Sequence, residues 1–294
     1  MGAVFCTLLW GTAFPFIKLG YAAFSVADGD IGAAMLFAGL RFSLAGAMVL
    51  AFLLFRGKKS AQLHKDVLKP VLLLGGVQTL GQYLFTYAGL SFTTGANTSI
   101  ITARASFLTV LGAAVFFKSD RLTALKILGC VFGFGGVLVM NGFGGFKLDT
   151  LFGDFLIFMS TVFAASGNLI AKKVTQGRDP VKITAYQLLF GGLGLTVIGY
   201  VCGGRLNLLS WHGLLILLWL ALVSAAAFSV WTALLKYHPA SKISVFNLLV
   251  PVFGTVLSGL LLGENVFRAE TLLSLLLIAA GSVLVNASRR KKND

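Results

Sequence analysis

Two arginines, Arg41 and Arg104, sit inside long apolar runs. A cation at membrane depth is costly and is read first as functional. A buried guanidinium can grip a carboxylate or phosphate through paired hydrogen bonds. Uncharged polar side chains accompany these arginines at helical spacing. In the run 68–90, Gln78, Thr79, Gln82, Tyr83 and Thr86 fall within an arc of about 140°, with Gln78 stacked one turn from Gln82. In the run 96–117, Ser99, Thr102 and Ser106 share one arc, with Thr98 and Thr109 at its edge. Trp10 stands mid-run beside Gly11 and can offer a flat wall to an apolar or cationic group. Asn168 and Trp231 are further candidates in later runs. Together these side chains have the chemistry for holding a small molecule. Each also has a plainer use, because small polar residues and Trp pack helix against helix in any bundle.

Phase bears on Arg104. Arg104 lies about 160° around its helix from Thr102, on the side shared with Asn97. Bonding to carbonyls of a neighbouring helix therefore competes with a ligand-anchoring role, although the long stem can reach round. Lys18 and Lys172 fall near span ends and read as interfacial anchors, with gating as the alternative.

Absences bound the chemistry as well. All ten acidic residues fall at the ends of runs or between them, as do His64, His212 and His238. Proton-driven carriers usually place a titratable carboxylate or His within the membrane, so exchange or facilitated diffusion is expected over carboxylate-coupled proton antiport. An intramembrane enzyme would need a nucleophile, a metal cluster or a carboxylate pair at depth, and the sequence offers none. Cys6, Cys130 and Cys202 have neither metal spacing nor the pattern of a disulfide framework. No Gly-Lys-Ser/Thr phosphate loop is present, so ATP is not expected to drive the protein directly. No metal or cofactor is expected.

The elements that must position these residues are transmembrane helices. The chain is 57% hydrophobic and 12% charged, with a mean hydropathy of +0.90, against roughly a quarter charged in soluble domains. Its 294 residues accommodate about ten spans of roughly 20 residues. These are read at 2–20, 33–55, 68–90, 96–117, 123–140, 154–174, 181–203, 213–236, 243–263 and 270–287. The first run has no basic leader or A-x-A-like site, so it is expected to be a retained span.

A net charge of +14 suggests nucleic acid until its distribution is read. All but six of the 24 Lys and Arg lie on loops after even-numbered spans or in the tail. The six are Lys18, Lys147, Arg205 and Arg268 after odd-numbered spans, with Arg41 and Arg104 inside spans. The positive-inside rule then puts both termini in the cytoplasm and leaves a lipid bilayer, rather than nucleic acid, as the large partner.

A repeat organises the spans. The stretch 95–141 aligns without a gap on 240–286 at an offset of 145, pairing Thr102 with Asn247, Ser106 with Pro251 and Ser99 with Ser244. Residues 10–18 correspond to 164–172, and Arg41 to Gln187. The chain divides into a five-span repeat (1–141), a Gly-rich connection (142–153), a second five-span repeat (154–287) and a basic tail (288–294). Five is odd, so the halves are expected to enter the bilayer in opposite senses, an all-α fold of two inverted repeats. An axis relating them would bring the arc of Thr102 and Ser99 against that of Asn247 and Ser244 near the midplane. Gly129, Gly133, Gly135 and Gly136, with Ala279, Ala280 and Gly281, read as close packing of spans five and ten, with homodimerisation as the lesser alternative.

Trp10, Gly11 and Lys18 in span one, Leu40-Arg41-Phe42 in span two, Pro251 in span nine with Gly263-Glu264 at its end, and Gly-rich spans five and ten are familiar in this order. Over essentially its whole length the chain resembles EamA-type proteins of the drug/metabolite transporter superfamily. The resemblance implies a ten-helix inner-membrane carrier that exports amino acids, related metabolites or toxic compounds, and a shared structural role for Arg41. The first half departs from the pattern, with Ser106 for Pro, Ser119 for Glu and the undemanded Arg104. A small-molecule exporter working by alternating access is the expectation, with drug efflux as the nearest variant and a channel or scaffold as the other class.

Overall fold

The computed structural model describes residues 1–57, 61–93, 95–118, 120–141, 150–207, 210–262 and 269–287, without the side chains of 95–97, 99–100, 140–141, 262 and 271. Ser119, Glu264, most of the connection between the halves and the basic tail lie outside these residues. Among the described residues there are ten long helical segments and no strand. They are α1 (Gly2–Ala23), α2 (Ile31–Phe55), α3 (from Lys65 to Leu90 in three parts), α4 (Gly95–Phe116), α5 (Ala124–Asn141), α6 (Leu151–Val174), α7 (Pro180–Val201), α8 (Trp211–Tyr237), α9 (from Ala240 to Leu262 in three parts) and α10 (Ala269–Ala287). Six of them are long and apolar enough to cross a membrane by length and composition alone.

The starts of three helices are written in the sequence. Asp30 accepts the Ala33 amide at 2.8 Å, Asp179 the Val181 amide at 2.9 Å, and Ser210 the Gly213 amide at 3.1 Å. Each takes up a donor that the first helical turn leaves unpaired. Pro180 follows Asp179 at the first helical position, where its missing N–H leaves no bond unmade.

Two helices change gait at mid-depth. Within α3, Gly75–Gly81 winds as a π-helix between Lys65–Leu74 and Gln82–Leu90. The wider turn shifts the phase of Gln78 relative to Gln82. Within α9, Val245–Leu248 tightens to 3₁₀ between Ala240–Ser244 and Leu249–Leu262. Pro251 explains the place of that break, because it lacks the N–H that an α-helix would aim at the carbonyl of Asn247.

Packing pairs the helices by repeat. The closest associations are α2 with α7 and α5 with α10. Glycines let these backbones touch. A Cβ on Gly129 would stand 2.5 Å from the Gly281 carbonyl oxygen, and one on Gly136 would stand 2.8 Å from that of Ser274. The small residues of α5 and α10 thus serve contact within one chain. Further out, α1 packs on α8 and α9, while α6 packs on α3 and α4.

Along α2 and α7, a Cβ on Gly46 would reach within 2.7 Å of Leu189 Cα, and one on Gly199 within 2.8 Å of Leu36 Cα. Backbone cannot rotate away as a side chain can. Gly46→Ala and Gly199→Ala are each expected to lower stability by about 1–3 kcal/mol, read as an earlier thermal transition in detergent. Gly135→Ala is the control, since a Cβ there meets nothing within 4 Å and Ala favours a helix by roughly 0.5–1 kcal/mol. An unchanged transition in the first two variants would mean that α2 and α7 do not pack this closely.

Candidate functional site

The helices enclose a cavity of about 530 Å³, within the range of roughly 300–1,000 Å³ usual for small-molecule sites. Its wall rises along α1 from Trp10 through Phe14 and Lys18 to Tyr21, and along α3 from Gln78 through Gln82 and Thr86 to Leu90. The α4 wall runs from Ser106 back through Thr102 to Thr98. These three paths climb toward the same end of the bundle, where residues 24–30 and 91–93 connect helices. Asn168 of α6, Trp231 of α8, and Asn247 and Pro251 of α9 complete the lining. The opposite end is solid. There Ala3, Cys6, Val71, Leu74, Ala171, Ile183, Trp231, Leu235 and Ile243 form one buried apolar cluster spanning six helices. Among the described residues, the cavity wall extends toward the first end and apolar packing closes the second.

Trp10, Gln78, Gln82, Tyr83, Thr102, Asn168 and Asn247 all line this space. Asn168 is the centre of a polar group at the closed end. Its Oδ1 accepts from Trp231 Nε1 at 3.1 Å and from Gln78 Nε2 at 3.4 Å. Both bonds end on oxygen, which leaves the amide nitrogen of Asn168 for the cavity. Trp10 Nε1 and Gln78 Oε1 are buried with no partner among the described residues. Left so, each is costly. They supply one donor and one acceptor beside the cavity. About two turns along the same two helices, Thr86 and Ser160 share a 2.6 Å hydroxyl contact.

Three readings need correction or qualification. The Ser99 side chain lies outside the described residues. Ser244 is fully buried and away from the cavity, where its carbonyl accepts the Ser106 hydroxyl at 2.8 Å and its own hydroxyl turns back to Ser241. Close packing of the first turn of α9 on α4, where the Ser106 hydroxyl reaches the Ser244 backbone, holds this side chain inside the helix contact. Arg104 also lies away from the cavity, its guanidinium 5.7 Å from the Phe134 ring on α5. The helical phase that turns it from Thr102 accounts for this.

The lysines part company. Lys172 does not snorkel to an interface. It is buried, and its ammonium donates to the carbonyls of Leu235 (3.2 Å) and His238 (2.6 Å), capping the end of α8. A cation at a helix C-terminus meets the negative end of the dipole. Lys18, at the same repeat position, lines the cavity mouth.

Sequence reasoning undervalued Arg41. It is buried and lines the cavity, and its Nε donates to Ser224 Oγ at 2.8 Å. The repeat supplies a counterpart, since Thr79 donates to Gln187, the partner position of Arg41, at 3.0 Å. Tyr21, Tyr87 and Phe228 were also missed, although they line the same space. The repeat held a usable signal. Phe14 and Asn168 are equivalent positions, as are Trp10 and Ala164, and all four line the cavity.

Comparison with known proteins now bears on what the cavity serves. A solved crystal structure, described only as that of a protein, superposes with a TM-score of 0.79 at 19% identity, covering 98% of each chain. It shares the fold. The chain is 27% identical to the uncharacterized transporter YoaV of Bacillus subtilis, over 99% of this chain and 98% of that one. It is 28% identical to a probable amino-acid metabolite efflux pump of Salmonella typhimurium, over 97% and 91%. It is 26% identical to the uncharacterized inner membrane transporter YedA of Escherichia coli K12, over 92% and 85%. The EamA-like transporter family matches residues 1–142 and 151–287. With its many apolar membrane-spanning helices, the chain is a multi-pass membrane protein that belongs to the EamA-like transporter family.

Proposed function

We propose that this protein is a secondary carrier that exports small amphipathic metabolites, amino acids or their derivatives first, by alternating access. The observation that carries the reading is the cavity at mid-depth, built from repeat-related helices, its wall extending toward one end and apolar packing closing the other. A channel would be open at both ends, and a scaffold would have no use for a polar cavity.

Two inverted halves give the motion. Each of α2 and α5 packs on its own repeat partner, and the contacts of α1 with α9 and α8 are answered by those of α6 with α4 and α3. A two-fold axis in the membrane plane generates this pattern, and rocking about it would close one end as the other opens. Charge alternation along the sequence sets both termini in the cytoplasm. The open end then faces outward, as an exporter releasing its load would present it. Among the described residues the buried acids are Asp120 and Asp154, and both sit at helix ends rather than in the cavity. Exchange or downhill movement fits this better than carboxylate-coupled antiport.

Counterflow in proteoliposomes tests the reading. Vesicles preloaded with unlabelled substrate, found by a metabolite-efflux panel, are expected to accumulate labelled substrate transiently above its outside level. Equilibration without overshoot indicates a channel, and no movement indicates a scaffold. Either result removes the proposal.

A further inference from the structure

Arg41 is a buried cation in a wall that holds no Asp or Glu among its described residues. Its Nε bond to Ser224 fixes the plane of the guanidinium and leaves both terminal nitrogens without a protein partner among the described residues. Neither ion pair seen among those residues involves Arg41. Its guanidinium carbon stands 5.0 Å from the Phe42 ring centroid, and Tyr21, Tyr83 and Tyr87 line the same space. A cation held this way, with no carboxylate among the described residues of the wall, calls for water or an arriving anion to compensate it.

The surroundings define the rest of the ligand. Aromatic rings run in an unbroken chain beside the guanidinium. Tyr83 meets Phe42 (centroids 4.5 Å apart), Phe42 meets Phe228 (6.1 Å), Phe228 meets Trp10 (5.3 Å) and Trp10 meets Trp231 (5.1 Å). Of these, all but Phe42 line the cavity. Trp10 Nε1 and the Asn168 amide add neutral donors. Lys18 at the mouth adds a second positive charge.

We infer that the cavity selects monoanionic carboxylates with an apolar body, Arg41 gripping the carboxylate and the aromatic wall seating the body. A planar carboxylate matches the two open nitrogens of the fixed guanidinium fork. A cationic ligand meets the like charge of Arg41 and, among the described residues of the wall, no carboxylate. A zwitterion brings an ammonium that no acidic residue among the described lining answers, so an acid whose amine is absent or acylated fits better than the free amino acid. The inference rests on the carrier reading for its consequence in transport, but not for binding.

Four compounds of one shape test it: 3-phenylpropanoate, 3-phenylpropanamide, phenylalanine and 3-phenylpropylamine, titrated calorimetrically against the detergent-solubilised full chain. The acid is expected to bind at least tenfold more tightly than the other three. Arg41→Gln should erase that preference, and Arg41→Lys should keep it at reduced affinity, since an ammonium supplies charge without the fork. Amide or amine binding as tight as the acid overturns the inference, as does an acid preference that survives Arg41→Gln or a failure of all four to bind. The wild-type series decides the matter even where a variant fails to fold. Liposome counterflow separates the two claims. Acid-selective binding without counterflow removes the carrier and leaves the anion site, whereas counterflow of the amine that Arg41→Gln does not alter removes the anion site and leaves the carrier.

Discussion

Asp120→Ala is expected to destabilise the protein by about 3–5 kcal/mol, because it strands a buried ammonium. Asp120 is 1% exposed and lies between α4 and α5. One of its oxygens is 2.6 Å from Lys126 Nζ, itself 6% exposed. The same carboxylate accepts the Ser241 amide at 3.1 Å and the Ser241 hydroxyl. It therefore ties the α4–α5 connection to the first turn of α9 while compensating a charge. Without it, Lys126 keeps only the Arg121 carbonyl at 2.6 Å. The measurement is thermal unfolding in detergent, followed by size-exclusion chromatography of the surviving monodisperse fraction. Asp120→Ala combined with Lys126→Met should recover much of the loss, since removing both charges removes the uncompensated one. Asp120→Asn separates the charge from the cap, because its amide oxygen can still accept from Ser241. A single variant that melts with the wild type would show the pair to be solvated and of little consequence.

Sequence carried the architecture further than the site, for physical reasons. Apolar runs of span length are visible because lipid demands them along the whole rod, and the described helices lie where the runs do. Helix subtype is not visible in that way, since π and 3₁₀ turns in a membrane satisfy the same hydropathy. Pro251 was a usable mark for the break at 245–248, but nothing comparable marks 75–81 apart from its glycines. Arg104 could be placed by phase alone because Thr98, Thr102 and Ser106 define a polar face on its own helix. Arg41 could not, because α2 has no polar face to phase it against, Ser43 standing alone, and its bonding partner, Ser224, is 183 positions away. Lys18 and Lys172 share a repeat position and reading, yet tertiary packing hands one the end of α8 and the other the cavity mouth.

The second large effect is expected at the cavity wall. Thr102→Leu and Asn247→Leu should each lower transport, as kcat/KM, at least tenfold while leaving the protein folded and inserted. Folding should survive because neither side chain is fully buried. Thr102 donates to the Thr98 carbonyl of its own helix at 2.8 Å, and water in the cavity can accept what Leu displaces. Stability is expected to stay within about 1 kcal/mol of wild type, as for substitutions away from packed cores. Transport should fail because Leu replaces a cavity-facing polar group and narrows the space along the adjoining α4 and α9 walls. Interactions lost at the site enter the transition state for translocation directly, whereas lipid-facing changes do not. Val115→Leu supplies that comparison, since Val115 is 78% exposed and away from the cavity, and it should transport normally. Because Thr102 and Asn247 are equivalent positions, an alternating site predicts that they fail together. Loss at one alone would mean that the halves do not share the load, and full activity in both would place the ligand elsewhere.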